Sequence, residues 1–149
     1  MAPLNGIHHL STLTADMDRL IAFYEEVFDA HVTLDMEEEG LRHAFIELGP
    51  ETVLHPFEMA GLDVPQDYIA PFQRGRMDHV GLNASSEEAF YALRDRIVAA
   101  GAGPGTVTDM GVLLSVGYVD PDGVGHEIIY VRPGTRPADM LPRAEWAVA

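Results

Sequence analysis

"IHHLSTLTADMDRLIAFYEEVF", residues 7–28, has a counterpart later in the chain in "MDHVGLNASSEEAFYALRDRIVAAG", residues 77–101. In each stretch a short segment with a histidine near its start precedes acidic or serine residues. Apolar residues spaced three and four apart then follow. This order predicts a β-strand and then an amphipathic helix. Its occurrence twice in one chain predicts a duplicated structural unit.

Three further strands are predicted after each helix, because β-branched and aromatic residues alternate with polar ones between turn sequences such as "EEEG", "GPE" and "DPDG". Each half of the chain is therefore predicted to be a βαβββ module, and the fold class is α+β. We expect a single domain over residues 1–149. Its parts are module one at about 6–58, a linker at 59–76, module two at about 77–132 and a tail at 133–149.

Composition excludes several classes of function. The 149 residues carry a formal net charge of -15, which repels nucleic acid and anionic membrane surfaces. The absence of cysteine excludes disulfides, thiolate metal sites and a cysteine nucleophile. Since the sequence also has neither a targeting segment at its start nor an apolar run of the length that spans a bilayer, we expect a soluble cytoplasmic protein.

Comparison of the two modules position by position singles out four potential metal ligands. His9 and His79 occupy the same place in the first strand of each module. Alignment of "LGPETVLHPF" with "DPDGVGHEII" places His55 opposite Glu127 in the last strand. A single histidine is more often a structural residue than a ligand, but two unrelated histidines need not fall at matching positions of a repeat.

Strand alternation then predicts which way these side chains face. His9 is predicted to face a concavity shared with His79, and His8 to face away. His126 should point opposite Glu127. His31 and His43 are predicted to be surface residues of their strands.

Two imidazoles and one carboxylate suit a divalent cation and leave coordination positions open for a substrate. The predicted metal ligands are His9, His79 and Glu127, with His55 as a fourth ligand, a base or a pocket residue. Tyr118 is a second candidate for acid–base catalysis. Apolar side chains that could line the substrate pocket are Phe45, Phe57 and Met77.

These features resemble the vicinal oxygen chelate superfamily, which includes glyoxalase I, methylmalonyl-CoA epimerase, extradiol dioxygenases, fosfomycin-modifying enzymes and bleomycin-binding proteins. The resemblance rests on the paired modules, "IHHLSTLTADMDRLIAFYEEVF", "MDHVGL" and "DPDGVGHEI", and covers about residues 6–132. It implies a curved mixed β-sheet around a metal site held by His9, His79 and Glu127, with a variable fourth position at or near His55. It also implies a homodimer.

Departures from individual members narrow the activity only in part. The stretch "FYEEVFD" has Asp29 where glyoxalase I has glycine, and His55 stands where that enzyme has a carboxylate. Extradiol dioxygenases share the ligand set, but their histidine ahead of the tyrosine is absent and Tyr118 lies one residue closer to the "DP" turn. Bleomycin-binding members generally lack the metal ligands.

The sequence thus predicts an enzyme that uses a divalent metal to chelate neighbouring oxygens of a small substrate. Dioxygenase-type chemistry is preferred over isomerase or lyase chemistry, with Fe(II) favoured and Mn, Ni, Co or Zn as alternatives. The competing hypothesis is a binding protein that sequesters a drug or natural product, for which the acidic surface would favour a cationic ligand.

Overall fold

The computed structural model describes residues 7–65, 67, 69–71 and 77–149. The chain forms two compact units, unit 1 (Met1–Gln66) and unit 2 (Asp67–Ala149). The boundary falls inside the predicted linker at 59–76, much of whose second half lies outside the described residues. That both modules form one domain stays a prediction.

Unit 1 contains a four-stranded sheet and one helix. Its sheet has the strand order β1-β4-β3-β2, in which β1 runs parallel to β4 and the other neighbours are antiparallel. The elements are β1 (His9–Leu13), α1 (Met17–Phe28), β2 (His31–Glu38), β3 (Leu41–Gly49) and β4 (Thr52–Met59).

Local chemistry fixes both ends of α1. The Asp16 side chain accepts a hydrogen bond from the Arg19 N–H at 3.0 Å, which satisfies one of the free donors of the first turn. At the other end Asp29 adopts a left-handed conformation with φ of 53°. This is the position where the sequence departs from the glycine of glyoxalase I, and aspartate tolerates that conformation better than most residues.

The apolar face of α1 packs on one side of the sheet. Met17, Leu20 and Tyr24 are at most 1% exposed and cluster with the strand residues Ala44, Ile46 and Leu54. Because strand side chains alternate, the neighbouring residues of β3 and β4 project to the other side. This opposite side, the open face of unit 1, carries the histidines and aromatic residues described below.

Unit 2 repeats the plan of unit 1 and adds a fifth strand. Its sheet has the order β5-β8-β7-β6-β9, with β5 parallel to β8. Ser86 caps α2 by accepting from the Ala89 N–H at 3.0 Å, and Phe90 and Ile97 are fully buried. The elements are β5 (Val80–Asn83), α2 (Glu87–Ala99), β6 (Val107–Asp109), β7 (Leu113–Val119), β8 (Gly125–Val131) and β9 (Ala147–Val148).

Both predicted βαβββ modules are confirmed, whereas part of the tail joins the second sheet. Ala147 and Val148 pair with Asp109 and Thr108 of β6. A strand of two residues has too few positions to show the alternation by which longer strands are recognised, so β9 could not be predicted from the sequence. Within the described residues, no helix has the length and apolar character that a membrane span requires.

Candidate metal centre

The strand registers place His55 and Glu127 at equivalent positions of the two units. In unit 1 Ser11 lies opposite His55 across the parallel β1–β4 pair. In unit 2 Gly81 lies opposite Glu127 across the parallel β5–β8 pair. His9 comes two residues before Ser11, and His79 comes two residues before Gly81. The two histidines are therefore at equivalent positions as well, as the alignment of the two modules predicted.

In unit 2 a row of hydrogen bonds joins four side chains: Asp78, His79, Glu127 and Ser115. His79 contacts Asp78 Oδ2 through Nδ1 at 2.7 Å and Glu127 Oε1 through Nε2 at 3.2 Å. The Ser115 hydroxyl donates to Glu127 Oε2 at 2.6 Å. Both nitrogens of the imidazole and both oxygens of the Glu127 carboxylate therefore have a partner.

This environment favours the charged form of His79. The hydrogen bond to Asp78 is the largest influence and raises the pKa of His79 above its ordinary value, with a further contribution from the Glu127 charge. Burial opposes the shift only in part. The same two carboxylates that stabilise a proton on the ring would also favour a cation beside it.

An open concavity of about 410 Å³ lies beside this row within unit 2. Asp78, His79 and Glu127 line it, together with the loop that follows α2. Glycines occupy the positions opposite Glu127 on both neighbouring strands, Gly81 on β5 and Gly117 on β7. Among the described residues, a Cβ at Gly117 would meet only the His126 carbonyl oxygen within 4 Å, at 3.8 Å, so there is room for a larger side chain or a ligand at this position.

The donors of unit 2 fit a divalent cation as two ligands. Ligand atoms about 2.0–2.2 Å from one ion stand roughly 3.0–3.5 Å apart at the usual angles. The 3.2 Å between His79 Nε2 and Glu127 Oε1 falls in that range. The described residues contain no group of three or more His, Asp or Glu side chains that could hold a metal ion. The complete ligand set predicted from the sequence, which includes His9, therefore stays a prediction.

On the open face of unit 1, His55 is surrounded by rings. Its imidazole lies 4.2 Å from Phe57, 4.5 Å from Phe45 and 5.3 Å from His9, measured between ring centroids. Its Nε2 lies 3.2 Å from Nδ1 of His43. Phe45 and Phe57, two of the three residues predicted to line a substrate pocket, thus pack directly against the candidate base.

The surroundings of His55 favour its neutral form, in contrast to His79. Burial is the main cause that lowers the pKa of His55, and the neighbouring His43 and His9 add to it. Within the part of the chain that the structure describes, the buried Nδ1 of His55 has no hydrogen-bond partner. A neutral imidazole keeps a lone pair on one ring nitrogen, and this is the form that a general base or a metal ligand needs.

The orientation predicted for His8 from strand alternation is wrong, and the surface position predicted for His43 holds only in part. His8 does not face away from His9, because their Nδ1 atoms lie 2.9 Å apart. His8 precedes β1, so the alternation of a regular strand does not govern it. His43 is half-buried and bonded to His55 instead of being a plain surface residue, because it shares the open face with Phe57, its partner across β3–β4.

Three further predicted residues have clear positions. His126 points away from Glu127, as expected, and its Nε2 lies 3.2 Å from Asp120 Oδ2 in the interior of unit 2. Tyr118 is 2% exposed and its ring stacks on His126 at 4.9 Å. Met77 is 62% exposed. The roles predicted for Tyr118 in catalysis and for Met77 in the pocket stay predictions.

Asp78, Ser115 and His43 are the site residues that the sequence did not single out. Asp78 adjoins His79, so the pair "DH" was a visible signal. Ser115 and His43 occupy equivalent positions, because Ser115 pairs with Ile129 and His43 with Phe57, each two residues past Glu127 or His55. Extending the internal alignment to the third strand of each module would have found both.

The family model described as Glyoxalase/Bleomycin resistance protein/Dioxygenase superfamily matches residues 6–128. The chain belongs to this superfamily. The match runs from the segment before β1 into β8 and so includes both modules. It agrees with the resemblance drawn from the sequence.

A curated relative from Bacillus subtilis (strain 168) is named "Putative ring-cleaving dioxygenase MhqA". It is 31% identical over 98 residues, which are 62% of this chain and 30% of that protein. The chain therefore spans less than a third of the length of this relative.

Solved structures with the same fold include a glyoxylase/bleomycin resistance protein/dioxygenase domain from Frankia sp. EAN1pec, with a TM-score of 0.73 and 21% identity over 87% of this chain and 99% of that one. A mutant of the fosfomycin resistance protein FosX from Listeria monocytogenes has a TM-score of 0.62 and 18% identity, covering 89% and 96%. That structure contains Mn(II) and 1S,2S-dihydroxypropylphosphonic acid. A mutant glyoxalase I from Zea mays has a TM-score of 0.61 and 22% identity, covering 82% and 44%.

Proposed function

We propose that the protein is a divalent-metal-dependent enzyme that binds a small substrate through two neighbouring oxygen atoms. The observation that carries this proposal is the row Asp78–His79–Glu127–Ser115 beside an open concavity. Packing alone does not require two carboxylates on one partly exposed imidazole at a glycine-lined surface. Such a cluster is typical of a place that receives a positive charge.

Three residues of the row have a task in this proposal. His79 Nε2 and Glu127 Oε1 would ligate the cation, and Asp78 would orient the imidazole by accepting from Nδ1. The family resemblance assigns the third ligand to His9 and leaves a fourth position to His55. A bound cation would supply Lewis acidity that stabilises negative charge developing on the substrate oxygens.

We propose dioxygenase-type chemistry with Fe(II) as the first candidate reaction. Two imidazoles and one carboxylate are the donor set typical of non-haem Fe(II) oxygenases. The printed name of the Bacillus subtilis relative points to the same chemistry, although this chain spans only 30% of that protein. His55 and Tyr118 are the candidate acid–base groups, and a substrate would lie over Gly117 beside Glu127.

Metal analysis after anaerobic reconstitution with Fe(II), Mn(II), Ni(II), Co(II) or Zn(II) tests the proposal. His79→Ala and His9→Ala are compared with His31→Ala, which removes an exposed histidine of β2. We expect one equivalent of metal in the parent and control proteins, and an affinity lower by about 100-fold in the other two variants. Oxygen consumption by the Fe(II) form with catechol then tests the reaction.

A parent protein that binds none of the five ions would contradict the proposal. Equal metal binding by parent and His79→Ala would do the same. An Fe(II) form that holds its metal but consumes no oxygen with catechol would count against dioxygenase-type chemistry on catechol while leaving a metal enzyme. Light scattering checks the homodimer implied by the resemblance.

A second candidate function is sequestration of an apolar or cationic ligand without catalysis. The open face of unit 1 favours it, because Phe45 and Phe57 contact His55 there and the chain carries a net charge of -15. Ligand binding by this function would not need a metal. Retention of full ligand affinity after treatment with a chelator would therefore support sequestration over the metal enzyme.

A further inference from the structure

We infer that Ser115 is a positioning residue that fixes Glu127 so that a single carboxylate oxygen, Oε1, is offered to a cation beside His79. This inference rests on the proposed function, since it concerns the same cation. Ser115 lies on the third strand of the second module. In this inference its side chain acts through Glu127 and does not itself contact the cation.

The contact between Ser115 and Glu127 is short and sheltered. The hydroxyl oxygen lies 2.6 Å from Glu127 Oε2, and Ser115 is 7% exposed. An ionised carboxylate can only accept hydrogen bonds, so the hydroxyl donates. Bonds of this length to a charged oxygen are among the stronger ones in proteins.

The two oxygens of Glu127 thereby acquire different tasks. Oε2 is held by Ser115, and Oε1 faces His79 Nε2 at 3.2 Å. The terminal torsion of a glutamate is soft, so the carboxylate would otherwise be free to rotate. Without the hydroxyl it could present both oxygens to one ion, an arrangement that suits the larger Ca²⁺ better than ions demanding octahedral geometry.

The internal repeat supports this assignment independently. His43 is the equivalent of Ser115 in unit 1, because each pairs with the residue two positions past His55 or Glu127. His43 also bonds to the equivalent residue, with 3.2 Å between its Nδ1 and His55 Nε2. In both units, a side chain of the third strand therefore forms a hydrogen bond with the side chain at the same position of the last strand.

Ser115→Ala tests the inference through metal affinities, without reliance on turnover. Mn(II) binding is measured by electron paramagnetic resonance and Ca(II) binding by competition. We expect Mn(II) affinity to fall by about 10–100-fold, the usual effect of losing a partner of a metal ligand. Ca(II) affinity should fall much less, so the preference for Mn(II) over Ca(II) decreases. Ser115→Thr, which keeps the hydroxyl, should restore both values.

Ser86→Ala is the matched control. It makes the same chemical change in the same unit and removes one side-chain hydrogen bond, that to Ala89 N at 3.0 Å. Loss of this helix cap should lower the midpoint of urea unfolding and leave the metal affinities unchanged.

Several outcomes would overturn the inference. Mn(II) binding by Ser115→Ala equal to the parent would show that the hydroxyl does not position Glu127. An equal loss in Ser86→Ala, or in Ser115→Thr, would attribute the effect to stability or packing. A parent protein that binds no cation would overturn the proposed function as well, whereas the first result would leave that function standing.

Discussion

The two units have the same arrangement of strands and helix but carry different side chains at equivalent positions. Each has a histidine at or one residue before the start of its first strand. Each also has a candidate ligand in its last strand and a hydrogen-bonding partner for that residue in its third strand. The equivalent residues are His9, Ser11, His43, Phe45 and His55 in unit 1, and His79, Gly81, Ser115, Gly117 and Glu127 in unit 2.

The side chains at these positions differ, and the differences determine which kind of ligand each unit could bind there. In unit 1 the phenylalanine rings pack on His55, whose pKa is lowered mainly by burial. In unit 2 glycines flank Glu127, and the space that rings fill in unit 1 is a concavity of about 410 Å³. A duplicated backbone can therefore serve as a charged site in one copy and as an aromatic surface in the other, because only a few side chains differ.

The largest effect expected from this comparison concerns the two equivalent residues of the last strands. Glu127→Gln should weaken Mn(II) binding by about 100-fold, because an amide oxygen lacks the charge of the carboxylate ligand. His55→Gln should change it by less than about three-fold if His55 is not a ligand of the ion. Isothermal titration calorimetry measures both.

Equal losses in Glu127→Gln and His55→Gln would break the comparison. They would make His55 a fourth ligand of the same standing as Glu127. The acid–base role predicted for His55 would then have to be abandoned.

A second variant fills the concavity of unit 2 with the side chain that stands at the equivalent position of unit 1. Gly117→Phe should weaken catechol binding by roughly 30-fold or more while Mn(II) affinity stays nearly unchanged, because the ring would occupy the free space beside Glu127. Gly49→Phe is the control, since a Cβ at Gly49 meets nothing within 4 Å. Catechol binding that survives in Gly117→Phe would place the ligand elsewhere.

The smallest expected effect is on stability and concerns the ion pairs of one arginine in each unit. Arg132 binds both oxygens of Asp109 at 2.7 Å, and this hydrogen bonding lowers the pKa of Asp109 to about 2. Arg42 binds both Asp35 and Asp18. After allowance for solvent screening of these partly exposed groups, we expect Asp109→Asn to cost about 1 kcal/mol at neutral pH and Asp35→Asn about half as much.

The sign of the pH dependence follows from the lowered pKa of Asp109. Its stabilising contribution is complete above the ordinary aspartate pKa of about 3.9 and is lost as the pH falls to about 2. Urea unfolding at several pH values should therefore show the parent and Asp109→Asn converging in acid. A difference between them that stays constant down to pH of about 2 would contradict the assignment.

The sequence alone predicted much of the fold because its signals are local. Cap residues such as Asp16 and Ser86, and apolar residues at helical spacing such as Leu20 and Tyr24, act within one element. The repeat then located His9, His79, His55 and Glu127, since equivalent positions can be compared without coordinates. The ring cluster around His55 was only partly foreseen, because His43 joins it through pairing between strands.

The sequence by itself thus determined the two βαβββ modules, the superfamily and the equivalence of the candidate ligands. These could be predicted because hydrophobic periodicity, helix caps and internal repetition depend on residues that are close in sequence or that recur at fixed spacing. Only the tertiary structure decided which side chains meet. The bonds of Ser115 to Glu127, His43 to His55 and Arg132 to Asp109, and the pairing of β9 with β6, join residues distant in sequence. Such contacts depend on strand register and side-chain direction, which a one-residue shift would reverse.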